Sequence, residues 1–147
     1  MIRAWRLGSQ RGTSTLEFVA VLPVLLFIFL GGLELSRAWF TATIASNAAR
    51  EGARVAVAMD PPDPLNPSFA NAKTAGEQKI DDILTAANLT AVSRSVTCPT
   101  TACPSDSTVT ATVTINFVTV SPLFFQAMLG NSLDPLVLTE TTRMRRE

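Results

Sequence analysis

The longest run of apolar positions lies near the amino terminus of the chain. Residues 18–33 contain no acidic or basic side chain, and a helix of that length spans roughly 24 Å. The hydrocarbon core of a membrane is about 30 Å thick, so the flanking residues must extend the helix on both sides. Trp39 is placed for the interfacial aromatic belt. The pattern predicts a transmembrane helix over residues 13–40.

The helical pattern continues beyond this segment to residue 59, because no proline interrupts it. Small residues recur there at spacings of three and four, which places them on one helix face. They are Ala38, Ala42, Ala45, Ala49, Ala53 and Ala56. Such a stripe allows close approach either of the protein's own domain or of a second subunit, and the sequence leaves both open. Four prolines at residues 60–67 then predict a linker.

Downstream of the linker, the period of the apolar positions changes from helical to alternating. Residues 68–87 have a helical apolar face, and the charges of Glu77, Lys79, Asp81 and Asp82 are predicted to form a solvated face. Residues 107–120 alternate threonine with apolar side chains, the pattern of a strand with one buried face. A break in phase at residues 118–120 suggests a bulge or burial on both faces. Weaker strands are predicted at 91–97 and 136–144. The fold class expected is α+β, with a small antiparallel sheet.

The aromatic stretch between the last two predicted strands, residues 121–130, is expected to cover one end of the core or touch the membrane surface.

Charge is balanced over the whole chain but not along it. The net charge is zero, which gives no support for nucleic-acid binding. Residues 1–12 carry three arginines and no acid. A basic flank before an apolar helix indicates that this leader stays in the cytoplasm. Residues 41–59 would then continue the helix outside the membrane, and residues 68–147 would form an extracytoplasmic α+β domain.

The side chains that usually carry catalysis or bind metals are scarce. The chain has no histidine, the usual neutral-pH base and commonest metal ligand. No phosphate-binding glycine loop is present either, so we expect neither an enzyme nor a cofactor. Cys98 and Cys103 enclose four residues on the side predicted to be oxidising, which favours a structural disulfide. Two thiols alone make a metal site improbable, and their spacing differs from that of redox pairs.

The segment directly before the apolar run reads Arg-Gly-Thr-Ser-Thr-Leu-Glu-Phe over residues 11–18. Secretory signal peptides place their small-residue cleavage site after the apolar region, whereas Gly12 precedes it. Cleavage after Gly12 would leave Glu17 as the fifth residue of the mature chain. Its carboxylate is costly at the edge of a membrane helix. It could pair with the new α-amine of Thr13 in a neighbouring subunit, or it could lie solvated among lipid headgroups.

Several stretches of the sequence resemble proteins of pilus assembly. The Gly-to-Glu spacing before a proline-containing apolar helix is similar to the processing site of type IV prepilins. The strings Leu-Glu-Leu-Ser-Arg at residues 33–37 and Asn-Ala-Ala-Arg-Glu-Gly-Ala-Arg at residues 47–54 resemble the TadE-like family of pilus-biogenesis proteins. The tail, residues 139–145, is similar to the family's closing strand.

The resemblance implies roles for individual residues. Gly12 would precede the bond cut by a prepilin peptidase, Thr13 would become the mature amino terminus, and Glu17 would serve processing or subunit alignment. The chain would be a single-pass protein of the bacterial inner membrane, with a pilin-like fold. It would act as a minor pseudopilin with other pilins and the components that assemble tight-adherence pili.

Within the helix string, four polar residues are candidates for contacts: Asn47, Arg50, Glu51 and Arg54. Pairing of these charges with the protein's own β domain is the first interpretation, and recognition of an assembly partner is the second.

Two other functions remain open at this stage. An unprocessed signal-anchored protein with an extracytoplasmic binding domain would have no need of the acid at Glu17. A soluble domain released near Ala45 is disfavoured, because that position is far from the apolar run and Glu34 and Arg37 intervene.

Overall fold

The computed structural model describes residues 13–59, 69–101, 103–120, 122, 126, 130 and 136–146. The predicted leader, the proline-rich linker and most of the aromatic stretch at residues 121–130 lie outside the described residues. Two compact units divide the chain, Met1–Ser36 and Arg37–Glu147. Each is described by itself below.

The first helix, α1, spans Thr13–Ala58 and contributes to both units. Pro23 lies inside it without ending it. In the amino-terminal unit the large apolar side chains are exposed, among them Phe18, Leu25 and Ile28. In the described part of the chain this is the one helix long and apolar enough to cross a membrane. An exposed apolar helix near the amino terminus suggests a single-pass membrane anchor.

The second helix, α2, spans Ala70–Ala86, within the predicted range. Its buried residues follow a four-residue spacing: Ala72, Gly76, Ile80 and Leu84. Asn88 follows the helix with a φ of 56°, a left-handed conformation that asparagine tolerates and that stops a helix. The predicted end of this helix therefore has a clear backbone cause.

Three antiparallel strands form one sheet in the order β1-β2-β3, which confirms the α+β class. Their bounds are Ala91–Thr97 for β1, Thr108–Phe117 for β2 and Leu136–Arg145 for β3. The inner face of β2 is apolar and buried, as the alternation predicts. It presents Val109, Ala111, Val113, Ile115 and Phe117.

The central strand ends earlier than the sequence suggests. Hydrogen-bonded pairing stops at Phe117, while burial continues to alternate, with Thr119 buried and Val118 and Val120 exposed. The apparent change of phase therefore reflects which side chains are apolar. It is neither a bulge in β2 nor burial on both faces, because Val118 and Val120 are exposed. The irregularity in the sheet lies instead in β1, between Ala91 and Ser93.

The core of the second unit lies between the carboxyl-terminal half of α1, the helix α2 and the inner face of the sheet. Five alanines of α1 are fully buried there: Ala45, Ala48, Ala49, Ala53 and Ala56. Much of the small-residue stripe is thus covered by the protein's own domain, whereas Ala38 and Ala42 stay half-buried. A face of alanines has little volume, so the helix can pack closely.

Two acids of α2 predicted to be solvated also tie the helix to β1. The Glu77 carboxylate accepts a hydrogen bond from the backbone N–H of Val96 at 3.4 Å. The Asp81 carboxylate lies 2.7 Å from the guanidinium of Arg94. Both acids keep contact with solvent, since the side chains of Asp81 and Glu77 are 39% and 25% exposed. The predicted solvated face therefore also holds α2 to the first strand at its edge.

Candidate functional site

The residues of the predicted processing site lie at the start of α1. Thr13 is helical and is the first described residue of the chain, whereas Gly12 lies outside the described residues. Glu17 follows one turn later and is exposed on the helix surface.

The string at residues 47–54 divides into an inner and an outer face. Its small residues Ala48, Ala49, Gly52 and Ala53 are buried, as the helical period of 3.6 residues requires. On the outer face, Asn47, Arg50 and Arg54 are exposed and Glu51 is half-buried. Half of the string therefore builds the core, and the other half is available for contacts.

Glu51 and Arg54 form an ion pair within α1, with the carboxylate 3.5 Å from the guanidinium. The Glu51 side chain is 42% exposed and the Arg54 side chain 72% exposed, so the pair contributes only a few tenths of a kcal/mol. Arg54 was expected to pair with the β domain. Among the described residues, its ion pair is with Glu51 of its own helix instead. The buried alanine face of α1 packs into the core beneath the sheet.

A groove of about 270 Å³ follows the exposed side of α1 in the second unit. Its helical wall is formed by Trp39, Ala42, Thr43, Ser46, Asn47 and Arg50, and Glu140 of β3 lines it from the sheet. Two of the four polar candidates of the string, Asn47 and Arg50, are thus brought together with an acid far away in the sequence. Glu51 and Arg54 do not line the groove.

Cys98 and Cys103 form the predicted disulfide bond. The bridged loop is held at several points. The N–H of Phe69 donates to the carbonyl of Thr101 at 3.1 Å, which joins the loop to the start of α2. The guanidinium of Arg146 donates to the carbonyl of Cys103 at 3.1 Å. Because Cys103 is 1% exposed, the bridge is a structural part of the domain edge.

Arg146 is a structural residue that the sequence reasoning missed. It is 5% exposed, and its second guanidinium nitrogen donates to the carbonyl of Met59 at 2.7 Å, directly after α1. A cation at a helix carboxyl terminus satisfies unpaired carbonyls and opposes the helix dipole. The only signal in the sequence was an arginine next to the end of a predicted strand, which does not distinguish a buried side chain from a solvated one.

In the described part of the chain, no group of three or more His, Cys, Asp or Glu side chains is placed to bind a metal ion.

These features define a class: an α+β protein whose amino-terminal apolar helix suggests a single-pass membrane anchor and continues into a disulfide-bonded domain. Residues 12–54 match the model of the family described as TadE-like protein, which confirms the family resemblance over α1. The match begins at Gly12 and ends at Arg54, at the close of the helix string. It covers less than a third of the chain, and α2 and the sheet lie outside it. No curated protein and no solved structure shows a significant match.

The family match suggests a protein related to Tad pili and associated with pilus assembly components in general. TadE-like proteins are generally not enzymes.

Proposed function

We propose that this chain is a minor pseudopilin-like membrane protein for type IVb, tight-adherence pilus assembly or secretion, and that a prepilin peptidase cleaves it after Gly12. One observation carries the proposal: the family match starts at Gly12, and four residues separate Gly12 from the acid at Glu17, ahead of the exposed apolar part of α1. Cleavage there would remove a basic leader and leave the whole anchor helix attached to its domain.

After cleavage, the new amine of Thr13 would be cationic at neutral pH. Glu17 lies one turn further along α1 and is exposed. In a stack of subunits with an axial offset, the amine of one chain can meet the carboxylate of the next. The pair offsets the cost of keeping a carboxylate at the edge of the hydrocarbon region.

The orientation follows from the charges at the amino terminus. The three arginines of residues 1–12 keep the leader in the cytoplasm, where the peptidase acts on it. The second unit then lies on the extracytoplasmic side of the bacterial inner membrane, where the Cys98–Cys103 bridge is stable.

The assembly partner is proposed to bind the outer face of the helix string. Asn47, Arg50 and Arg54 are exposed there while the opposite face of the helix is buried in the domain. The groove beside Glu140 adds an acid to this surface. Other pilins, pseudopilins or pilus assembly components are the partners expected on this face.

The decisive experiment measures the mass of the membrane-bound chain in cells with and without an active prepilin peptidase. We expect the mass to fall by residues 1–12 only when the peptidase is active, and Thr13 to be found at the amino terminus. A Gly12→Leu variant, whose bulky side chain blocks the site, should keep its full mass. A second prepilin cleaved in the same cells shows that the peptidase is active.

An unchanged mass beside a cleaved control substrate would exclude the processed pseudopilin. The chain would then be an unprocessed, signal-anchored extracytoplasmic binding domain.

A further inference from the structure

Four aliphatic side chains are exposed at one end of the sheet. Val118 is 60% exposed, Val120 69%, Leu136 42% and Val137 60%. These four residues, here called the apolar rim, flank the connection between β2 and β3. Single exposed apolar residues are ordinary, whereas a group of neighbours marks an interaction surface.

The strand register places part of the rim, Leu136 and Val137, beside residues that lie close to the start of the second unit. Leu136 pairs with Phe117, and Val137 pairs with Asn116. The guanidinium carbon of Arg37 lies 5.2 Å from the centre of the Phe117 ring. Arg37 and Thr41 of α1 also line one groove with Asn116, Phe117 and Val118.

Arg37 is the first residue of this unit, and the uncharged apolar run of α1 ends at Leu33, shortly before it. The rim is therefore at the end of the domain where the chain passes to its membrane-spanning segment. Trp39 and Phe40 of α1 stand close to Arg37 in the sequence and are 76% and 63% exposed. Aromatic side chains at this position are typical of the membrane–water interface.

The opposite end of the sheet is polar. Thr108 pairs there with Arg145, and Arg145 in turn forms an ion pair with Asp106. The exposed aliphatic side chains are thus concentrated at the end of the sheet near Arg37, and charged side chains lie at the far end. A partner that covers any part of the sheet would not require this gradient along the strands, whereas a membrane surface does.

We infer that the apolar rim is immersed in the headgroup region of the same lipid bilayer that holds α1. Val118, Val120, Leu136 and Val137 enter the boundary between headgroups and acyl chains, to a depth of about 5–10 Å. The cation of Arg37 lies at the level of the lipid phosphates. The inference rests on α1 being a membrane anchor and not on cleavage after Gly12.

The test uses the uncleaved full chain in phosphatidylcholine vesicles, with an environment-sensitive NBD label on a new cysteine. Labelling without reductant leaves the Cys98–Cys103 bridge intact. Val118→Cys and Val137→Cys report on the rim, and Thr108→Cys, at the far end of β2, is the matched control. The quencher is phosphatidylcholine carrying a nitroxide on its acyl chain. Resistance of each variant's domain to protease checks that it is folded.

We expect the nitroxide lipid to quench the two rim labels severalfold more strongly than the Thr108→Cys label, at every ratio of protein to lipid. Equal quenching of rim and control labels in folded variants would overturn the inference. A second outcome would also overturn the inference: the rim labels are shielded from water only at high protein density, and the lipid quencher does not reach them. That result would show a second copy of the chain on the rim.

Discussion

Gly52 of α1 and Gly76 of α2 approach so closely that neither helix has room for a Cβ atom where they cross. A Cβ added to Gly52 would lie 2.9 Å from the carbonyl oxygen of Gly76, and one added to Gly76 would lie 2.8 Å from that of Gly52. Glycine inside a helix costs about 1 kcal/mol relative to alanine. Glycine is nevertheless required at both positions, because the backbones of the two helices are in direct contact there.

Gly52→Ala is expected to destabilise the domain by about 1–3 kcal/mol, the range typical of overpacking a close contact. The new methyl group would also lie 2.6 Å from Cγ1 of Ile80. The urea dependence of proteolysis of the full chain in detergent micelles measures the free energy of unfolding. Gly32→Ala is the control, because nothing lies within 4 Å of its added Cβ. Equal stability of the two variants would contradict the close crossing.

Arg146→Ala should lower the free energy of unfolding by about 2–4 kcal/mol, since each hydrogen bond to a charged group contributes roughly 1.5–3 kcal/mol. The substitution leaves the carbonyls of Met59 and Cys103 without their donor. The neighbouring Arg145→Ala removes only an exposed pair with Asp106 and should cost less than about 1 kcal/mol. The same urea and protease assay compares them, and a larger loss for Arg145→Ala would exclude the buried role of Arg146.

Removing the disulfide in a Cys98→Ala/Cys103→Ala variant is expected to cost about 2 kcal/mol, because the closed loop is short. The bridge limits the freedom of the unfolded chain and holds the loop that bonds to Phe69. Reductant should shift the urea midpoint of the natural chain toward that of the variant and leave the variant unchanged. If the urea midpoint of the natural chain did not change in reductant, although alkylation showed that its thiols were free, the bridge would not stabilise the fold.

Glu17→Gln keeps the shape of the side chain and removes its charge, so it tests the proposed pairing with the amine of Thr13. We expect normal membrane abundance with loss of processing or of pilus assembly. Glu17→Asp, which keeps the charge, should retain part of the processing and of the pilus assembly. Cleaved fraction and pilus number are the two measurements. Wild-type values of both for Glu17→Gln would favour a carboxylate that is merely solvated among headgroups.

Arg50→Ala and Arg54→Ala should impair pilus assembly while changing the free energy of unfolding by less than about 0.5 kcal/mol, as is usual for exposed substitutions. Both side chains are exposed, and the ion pair of Arg54 is on its own helix. Lys79→Ala, an exposed change on α2, is the matched control for loss of a charge. If both arginine variants assembled pili normally, the outer face of the helix string would not be the partner-binding site.

The helix string shows how far a local pattern can be interpreted. Its spacing predicted a small-residue face and a polar face, and the structure contains both. The sequence left open whether the small face meets the protein's own domain or a second subunit, because alanine and glycine suit either. Burial of Ala45, Ala49, Ala53 and Ala56 answers this for the carboxyl-terminal half of α1. Gly76, the partner of Gly52, was not recognised, although a glycine at a four-residue spacing inside α2 was the available signal.

The sequence by itself determined the apolar amino-terminal helix through an uninterrupted apolar run. It also determined the second helix, the three strands and the α+β class through their periodicity, since apolar spacing of 3.6 or 2 residues is a property of neighbouring positions. Tertiary structure alone decided which charges are solvated. Arg145 and Arg146 are adjacent, yet one is exposed and the other buried against the end of α1. Contacts between Arg146 and Met59, or between Glu77 and β1, join residues far apart in the chain. No local pattern encodes such contacts, because they form only when packing brings distant carbonyls and amides within hydrogen-bonding reach.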